Sequence, residues 1–349
     1  MRAVVIEQQG NPVTPNIAFH ADFPDPPEPG QGEVRVRTIA SAFNHMDLWV
    51  GRGVPGLELT YPRVSGCDAC GEVDSVGPGV DQAWVGSRVI VNAAVEVDPA
   101  ERPGDPPAST LAPDYELIGE HRSPGMHSEW FNAPATNLAR IPDDADPEQA
   151  AAFGLCALTA YSMMVTKGQL RPGQSVLVTG IGGGVATSAL TIAKHMGCPV
   201  AVTSRHASKL EQAKALGADL GIVDTGADWS REIRKWTKKR GVDMAVDSVG
   251  KKTHLSCVKS LARGGAYVSP GCTTGPDATT DLARLFWNQL RLLGSTMGSN
   301  EEFRECAALF SSGALKPVVD RVFPVEDATK AYARLEAGEQ FGKLVLRWR

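Results

Sequence analysis

The feature that most constrains the fold of this chain is a glycine-rich turn, "GIGGG", between two apolar segments. The segment before it, "SVLVTG", is short and apolar, as a buried strand is, and the segment after it, "VATSALTIAKHMG", has a helical period. A strand, a glycine turn and a helix in this order can receive a diphosphate on the free N–H groups of the helix N-terminus. We therefore expect a parallel sheet that binds a dinucleotide.

The glycines of this turn do not follow the strict G-x-G-x-x-G spacing in any register. Gly180 suits the tight turn, Gly183 and Gly184 suit a close approach of the backbone to phosphate, and the small Ala186 suits helix packing on the strand. A plain tight turn is the alternative, but the surrounding strand and helix supply the context that the motif needs. The candidate cofactor-binding residues of the turn are Gly180, Gly182, Gly183, Gly184 and Val185.

Two patterns divide the chain. In the first 150 residues or so, alternating segments such as "GEVRVRTIA" are separated by Gly/Pro turns, which is typical of antiparallel strands. From about Gln174, strand-like and helical segments alternate, which is typical of a doubly wound parallel sheet. With 349 residues, the chain is predicted to be an α/β protein of two domains, with an exposed proline-rich loop over Asp98–Pro113.

The strand after the glycine turn ends in "VAVTSRHASK". In NAD-binding proteins an acidic residue at this strand end hydrogen-bonds the ribose. Ser204 and Arg205 stand there instead, and Lys209 follows one helical turn later. These residues suit the 2′-phosphate of NADP, so NADPH is the predicted cofactor. The alternative for Arg205 is a solvated surface charge.

Composition restricts the partners and the compartment. The net charge is −5 and the densest basic stretch, Lys235 to Arg240, is short, so no nucleic-acid partner is expected. No signal peptide is recognisable, and the apolar stretch around Ala150 to Val165 is too short to span a bilayer. The 7 cysteines are scattered without the spacing of a disulfide framework, which indicates reduced thiols. We expect a cytoplasmic protein without a membrane partner.

Several segments in the same order resemble the medium-chain dehydrogenase/reductase superfamily over the whole chain. They include "NHMDLWVGRG", "SVGPGV", "RPGQSVLVTGIGGGVA", "GVDMAVDSVG" and "FGKLVLRW". The resemblance implies a β-rich GroES-like catalytic domain of residues 1–155 and 295–349, a Rossmann cofactor domain of residues 156–294, and a homodimer or homotetramer. It also implies that Thr159 lies beside the nicotinamide and that the segment with Ser269 and Gly271 contacts its far side.

This superfamily contains a zinc branch and a zinc-free branch of quinone and enone reductases. In the zinc branch the three zinc ligands are Cys, His and Cys. At the positions of this chain that resemble them stand Asn44, Cys67 and Leu155, respectively. The Asn-x-x-Asp segment that ends in Arg52-x-Gly resembles the zinc-free branch. An unusual metal site of Cys67, Asp68 and Cys156 is the alternative, and the Cys67/Cys70 pair is interpreted as buried thiols rather than a redox dithiol.

The sequence therefore favours a zinc-independent oxidoreductase that transfers hydride from NADPH to an enone, an enal or a quinone. Asn44 is the candidate for orienting the nicotinamide ribose or the acceptor oxygen, Asp47 for fixing this loop, and Tyr161 for donating a proton, with His45 and Tyr61 as other donors. Each of them could instead cap a turn or pack in the core. Two other functions stay open: an alcohol or aldehyde dehydrogenase that acts on a carbonyl substrate, either with an unusual metal site or with none, and a non-catalytic NADPH-binding module.

Overall fold

A computed structural model describes residues 1–96, 110 and 115–349 of the chain. The chain divides into two compact units, one of Met1–Leu155 with Gly298–Arg349 and the other of Cys156–Met297. The C-terminal segment is thus part of the first unit. The predicted proline-rich loop lies outside the described residues, apart from Thr110.

The elements are numbered in chain order. The strands are β1 (Ala3–Ile6), β2 (Ile17–His20), β3 (Glu33–Ala42), β4 (Arg63–Val64), β5 (Ala69–Val76), β6 (Arg88–Val91), β7 (Ala94–Glu96), β8 (Tyr115–Leu117), β9 (Trp130–Pro134), β10 (Leu138–Arg140), β11 (Val176–Val178), β12 (Val200–Ser204), β13 (Leu220–Val223), β14 (Val242–Val246), β15 (Leu261–Ser269), β16 (Arg291–Gly294), β17 (Val319–Pro324) and β18 (Lys343–Arg347). The helices are α1 (His45–Arg52), α2 (Pro147–Tyr161), α3 (Gly184–His195), α4 (Ala207–Ala215), α5 (Ser230–Trp236), α6 (His254–Ser260), α7 (Leu282–Trp287), α8 (Asn300–Ser311) and α9 (Ala328–Ala337).

The first unit is built on a seven-stranded sheet in the order β10-β6-β5-β3-β18-β17, with β9 also paired to β3. Its central strand β3 pairs antiparallel with β18, with Ala42 opposite Val345. Just beyond this pairing, the Phe43 N–H donates to the carbonyl of Leu344 (2.9 Å). The register therefore brings the end of β3 beside the start of β18, where Asn44 and Lys343 lie.

The second unit holds a six-stranded parallel sheet in the order β13-β12-β11-β14-β15-β16. Leu177, Ala201 and Ala245 of its central strands are buried in one apolar core. The chain runs outward from β11 in one direction and then from β14 in the other. Ligands of such sheets bind at the carboxyl end of the strands, at this change of direction. The predicted fold, an α/β protein with a β-rich domain and a doubly wound parallel sheet, is confirmed.

Some predicted boundaries were wrong. The segment "HLSCVKSLARGG" reads as one helix, but α6 ends at Ser260 and β15 begins at Leu261. The pair Gly264 and Gly265 disfavours a helix, and Gly264 has φ +73°, which glycine adopts without strain. The segment after Asn44 is a helix, α1, where the alternative interpretation of Asn44 and Asp47 had a turn.

The helical segment of α2 is longer than the sequence indicated. Its helical hydrogen bonding continues through a π-helical end at Ser162–Lys167, which makes it long and apolar enough to cross a membrane by length and composition. The prediction that this stretch is too short was therefore wrong, because the helix extends beyond the apolar stretch at both ends, from Pro147 to Lys167. Most of the helix is buried inside the protein, as a core helix is.

Candidate active site

The glycine-rich turn lies between β11 and α3, at the carboxyl end of the parallel sheet. Gly180 has φ +62° and Gly182 has φ +132°, which are conformations that L side chains rarely adopt. A Cβ at position 180 would lie only 2.7 Å from Cγ2 of Val249. Gly183 is the N-cap of α3, whose first residues are Gly184 and Val185. The first N–H groups of a helix have no intrahelical acceptor, so this turn is suited to an anion.

Lys209 lies over this turn. A Cβ at Gly182 would come within 2.7 Å of Lys209 Cδ and 3.2 Å of its Nζ. The absence of a side chain at position 182 is therefore what lets the lysine approach the backbone. The structure brings together two predicted cofactor-binding groups, the turn and the Lys209 ammonium.

Ser204 and Arg205 follow the neighbouring strand, β12. Ser204 is buried, and its Oγ accepts a hydrogen bond from the N–H of His206 (3.1 Å), which shapes the start of α4. Arg205 is exposed. Because no acidic side chain stands at this strand end, the position is suited to a phosphate rather than to a bare ribose.

The remaining predicted cofactor residues lie at two places of the second unit. Ser269 ends β15, and its Oγ donates to the carbonyl of Gly271 (2.8 Å). A Cβ added at Gly271 would meet no atom within 4 Å, so the space beside this residue is open. Thr159 is buried in α2 and its Oγ1 lies 3.8 Å from Sδ of Met297. Tyr161, two residues later, is half-buried. The roles of these residues stay predictions.

In the first unit, Asn44 belongs to a buried polar cluster. Its Nδ2 donates to Oδ2 of Asp68 (2.9 Å) and to Sγ of Cys67 (3.3 Å). Its Oδ1 accepts from Nζ of Lys343 (2.6 Å). An amide has two N–H donors, and both are engaged here. Asn44 can therefore donate to an acceptor oxygen only by giving up one of these hydrogen bonds.

Lys343 and Asp68 form a buried ion pair in the same cluster. Nζ lies 2.8 Å from Oδ2, and the side chains are only 3% and 1% exposed. The other oxygen, Oδ1, accepts from the N–H of Leu155 (2.6 Å). Sequence reasoning missed Lys343, although a lysine that begins the apolar strand "KLVLR" is an unusual residue for that place.

Asp47 is wholly buried, and its contacts fix the backbone. Oδ2 accepts from the Asn44 N–H (2.7 Å), and Oδ1 lies 3.5 Å from Nε2 of His127. Burial alone would raise the pKa of Asp47, but the electrostatic attraction of His127 and the hydrogen bonds that Asp47 accepts lower it below the usual value. These contacts favour the predicted role of a structural partner at the start of α1 over a role in proton transfer.

The other candidate proton donors differ in exposure. Tyr61 donates its hydroxyl proton to the carbonyl of Val50, and burial raises its pKa. His45 is exposed at the first position of α1. Tyr161 remains the predicted donor.

Comparisons with known proteins identify the family of the chain. Residues 30–143 match the family "Alcohol dehydrogenase GroES-like domain", and residues 184–312 match "Zinc-binding dehydrogenase". A relative, the zinc-type alcohol dehydrogenase-like protein YogA of Leptosphaeria maculans, is 32% identical over 92% of this chain and 92% of its own length. The chain belongs to the medium-chain dehydrogenase/reductase superfamily. It is an NAD(P)-dependent oxidoreductase of that superfamily.

Other members of the superfamily differ in their named reactions. A crotonyl-CoA reductase of Streptomyces avermitilis is 26% identical over 91% of this chain and 79% of its own length. A solved NAD-dependent alcohol dehydrogenase has a TM-score of 0.90 at 40% identity and covers 100% of both chains. Two mycobacterial structures, one complexed with NADPH and one a quinone oxidoreductase, have TM-scores of 0.81 and 0.78 at 28% identity and 100% coverage of both chains.

The name of the second matched family implies a zinc ion, so we ask whether the residues of this chain could bind one. A catalytic zinc needs three protein ligands, normally thiolate, imidazole or carboxylate. In this dehydrogenase/reductase the corresponding positions bring together the Asn44 amide, the Cys67 thiol and the Leu155 N–H, and the nearby Asp68 carboxylate is bound by an ammonium. Among the described residues no three His, Cys, Asp or Glu side chains group as a metal site, which includes the alternative set of Cys67, Asp68 and Cys156. The residues do not fit zinc.

The Cys67/Cys70 pair is also unsuited to redox chemistry. Both thiols are buried, and in the described structure neither is part of a disulfide. Burial raises the pKa of Cys70 to about 12, and a reactive cysteine needs a low pKa instead. This agrees with the interpretation as buried apolar thiols.

Proposed function

We propose that this protein is a zinc-independent reductase that transfers hydride from NADPH to the conjugated carbon of an enone or enal, or to a quinone. The observation that carries the proposal is the buried Lys343–Asp68 pair with its Asn44 contact. The Lys343 ammonium lies among the residues that would otherwise hold a metal, and the Asp68 carboxylate already neutralises its charge. The site therefore offers an acceptor carbonyl no strong Lewis acid.

A conjugated acceptor suits such a site. Hydride addition to an isolated ketone or aldehyde concentrates negative charge on one oxygen, which demands strong electrostatic stabilisation. Addition to an enone or a quinone spreads the charge over the conjugated system. Bound at the glycine turn, the cofactor supplies the hydride. The protein's contribution is then to hold the cofactor and the acceptor at the reacting distance. The crotonyl-CoA reductase and quinone oxidoreductase among its relatives act on such acceptors by name.

Metal analysis tests the zinc-independent part. We expect protein purified without chelator to contain zinc well below one ion per chain, and we expect its activity to survive dialysis against a strong chelator. A stoichiometric zinc ion that is lost together with activity would contradict the proposal.

The second candidate function is an NAD(P)-dependent alcohol dehydrogenase. It is favoured by the 40% identity to a solved NAD-dependent alcohol dehydrogenase. It predicts oxidation of simple alcohols with NAD⁺, which the proposed reductase does not carry out efficiently because it lacks a Lewis acid for the alkoxide.

The cofactor preference is tested at the end of β12. We expect Arg205→Ala to weaken NADPH binding by about tenfold or more, since a hydrogen bond to a charged group contributes roughly 1.5–3 kcal/mol. NADH has no 2′-phosphate, so its Kd is expected to stay unchanged. Fluorescence titration of both cofactors measures this, with the exposed Arg231→Ala as the control. Equal NADPH affinity in Arg205→Ala and wild type would show that Arg205 is only a surface charge.

We also propose that two copies associate through the second unit. Three apolar side chains of α7, Leu282, Phe286 and Trp287, are 68–70% exposed, and the next strand, β16, ends the sheet with Leu292 partly exposed. Exposed apolar patches and an open sheet edge are typical of interfaces. A twofold axis beside β16 would bring the same patch of a second copy against this one.

Light scattering after gel filtration tests this association. We expect the wild type to be a dimer or a tetramer and Trp287→Lys to have a smaller mass, because a charge would be buried in the interface. Val85→Lys, at an exposed valine of the first unit, is the matched control and is expected to keep the wild-type mass. A monomeric wild type would refute the association.

The compartment remains part of the proposal. None of the seven cysteines, all of which the structure describes, forms a disulfide, and all except Cys272 are buried. Free thiols suit a reducing compartment, so we propose a cytoplasmic protein.

A further inference from the structure

Another buried carboxylate, Asp247, lies next to the glycine turn. It follows β14 directly and is wholly buried. Its backbone N–H donates to the carbonyl of Val268 on β15 (3.0 Å). Asp247 thus lies at the carboxyl end of the parallel sheet, on the strand beside β11.

The Asp247 carboxylate is bound by hydroxyl and amide donors from several elements. Oδ1 accepts from Thr179 Oγ1 (2.5 Å), Thr253 Oγ1 (2.8 Å) and the Val249 N–H (3.0 Å), and Oδ2 accepts from Tyr267 OH (2.9 Å) and Thr253 Oγ1 (2.9 Å). Among the described residues, none forms a salt bridge with Asp247. The charge is therefore stabilised by fixed dipoles that must all point to one place.

One of these donors belongs to the cofactor turn. Thr179 precedes Gly180 directly, and its own N–H donates to the carbonyl of Val246 (3.0 Å). Val249, whose N–H donates to Asp247, has its side chain against Gly180. The carboxylate therefore holds both the start of the turn and the side chain that packs on it.

A second connection leads to the other loop at this end of the sheet. The residues that follow Asp247 pair with the segment after β15: Thr273 N–H donates to the carbonyl of Ser248 (3.2 Å) and Thr274 N–H to that of Val249 (2.9 Å). That segment begins just after Gly271, one of the predicted nicotinamide contacts. Asp247 thus fixes the loop that supports this segment as well.

Burying a carboxylate without a cation is costly, and an apolar residue would pack this sheet at lower cost. The arrangement is explained if the carboxylate preorganises a binding site. We propose that Asp247 is a positioning residue that holds two parts of the cofactor site, the glycine turn and the segment after β15, in one preformed geometry. This inference rests on the proposed function, since it assumes a nicotinamide cofactor at the turn.

The test is NADPH affinity in variants that remove single contacts. Thr179→Val removes the hydroxyl that links Asp247 to the turn, and we expect it to weaken NADPH binding by about tenfold, because the turn must then be ordered when the cofactor binds. We expect kcat at saturating NADPH to stay near the wild-type value, so that the loss appears in KM. Asp247→Asn should weaken NADPH binding more than Thr179→Val does, because the NH₂ group of the asparagine would face hydrogen-bond donors that the carboxylate oxygen now accepts from. Should Asp247→Asn fail to fold, Thr179→Val alone decides.

The matched control is Asp243→Asn, at the opposite end of β14. Asp243 accepts hydrogen bonds from Ser175 and Arg240, so its substitution destabilises the same strand away from the turn. We expect it to lower Tm and leave the Kd for NADPH unchanged. Wild-type affinity in Thr179→Val, with a wild type that binds NADPH, would overturn the inference alone. A wild type that binds no nicotinamide cofactor would overturn the proposed function and the inference with it.

Discussion

Lys343→Met is expected to lower the free energy of unfolding by about 3–5 kcal/mol, the typical cost of breaking a buried ion pair by removing one partner. Lys343 and Asp68 are both almost completely buried, so removal of the ammonium leaves an uncompensated carboxylate in the core. Urea denaturation, followed by circular dichroism, measures the loss of unfolding free energy.

The control for this substitution is a partly exposed pair of the same chemistry. Lys259 lies 2.9 Å from Asp228, and the side chains are 33% and 41% exposed. Exposed pairs contribute little, about 0–1 kcal/mol, so Lys259→Met should unfold close to the wild-type midpoint. The double variant Lys343→Met/Asp68→Asn should recover much of the lost stability because no unpaired charge remains. Equal midpoints for Lys343→Met and Lys259→Met would contradict the buried ion pair.

Gly180→Ala is expected to have the largest effect on cofactor binding. At φ +62° an alanine is strained by roughly 1–2 kcal/mol, and its Cβ would lie 2.7 Å from the Val249 side chain. The turn and its neighbour must both move, which disturbs the N–H groups that face the diphosphate. We expect the Kd for NADPH to rise by more than about tenfold in fluorescence titration, which corresponds to about 1.4 kcal/mol.

Gly173→Ala separates backbone strain from the effect on the turn. Gly173 has φ +80°, and a Cβ there would meet no atom within 4 Å. Both variants should lose a similar amount of stability to backbone strain, but only Gly180→Ala should lose affinity. If Gly180→Ala binds NADPH as Gly173→Ala does, the turn is not the diphosphate site.

The parts of the fold that the sequence predicts well are those encoded locally. The strand, glycine turn and helix around Gly180 lie within one continuous segment, and their hydrophobic periods are strong. The end of α6 was misjudged because Leu261 and Ala262 fit either a helix or a strand, and the sheet decides between them.

The candidate site is less predictable because its contacts are distant in sequence. Lys343 is separated from Asp68 by 275 residues, and no local pattern relates the two. Asp247 lies inside "GVDMAVDSVG", a segment that resembles the superfamily, but its role depends on Thr179, 68 residues earlier. Asn44 was identified from its segment, whereas the engagement of both its N–H groups follows only from the pairing of β3 with β5, which brings Cys67 and Asp68 beside it.

The most direct test of the proposed reaction is the product that the purified protein forms from NADPH and a simple 2-alkenal, resolved by chromatography. We expect the saturated aldehyde, because hydride reaches the conjugated carbon when no metal polarises the carbonyl. An allylic alcohol would contradict it, since that product requires activation of the carbonyl itself and would favour the alcohol dehydrogenase instead.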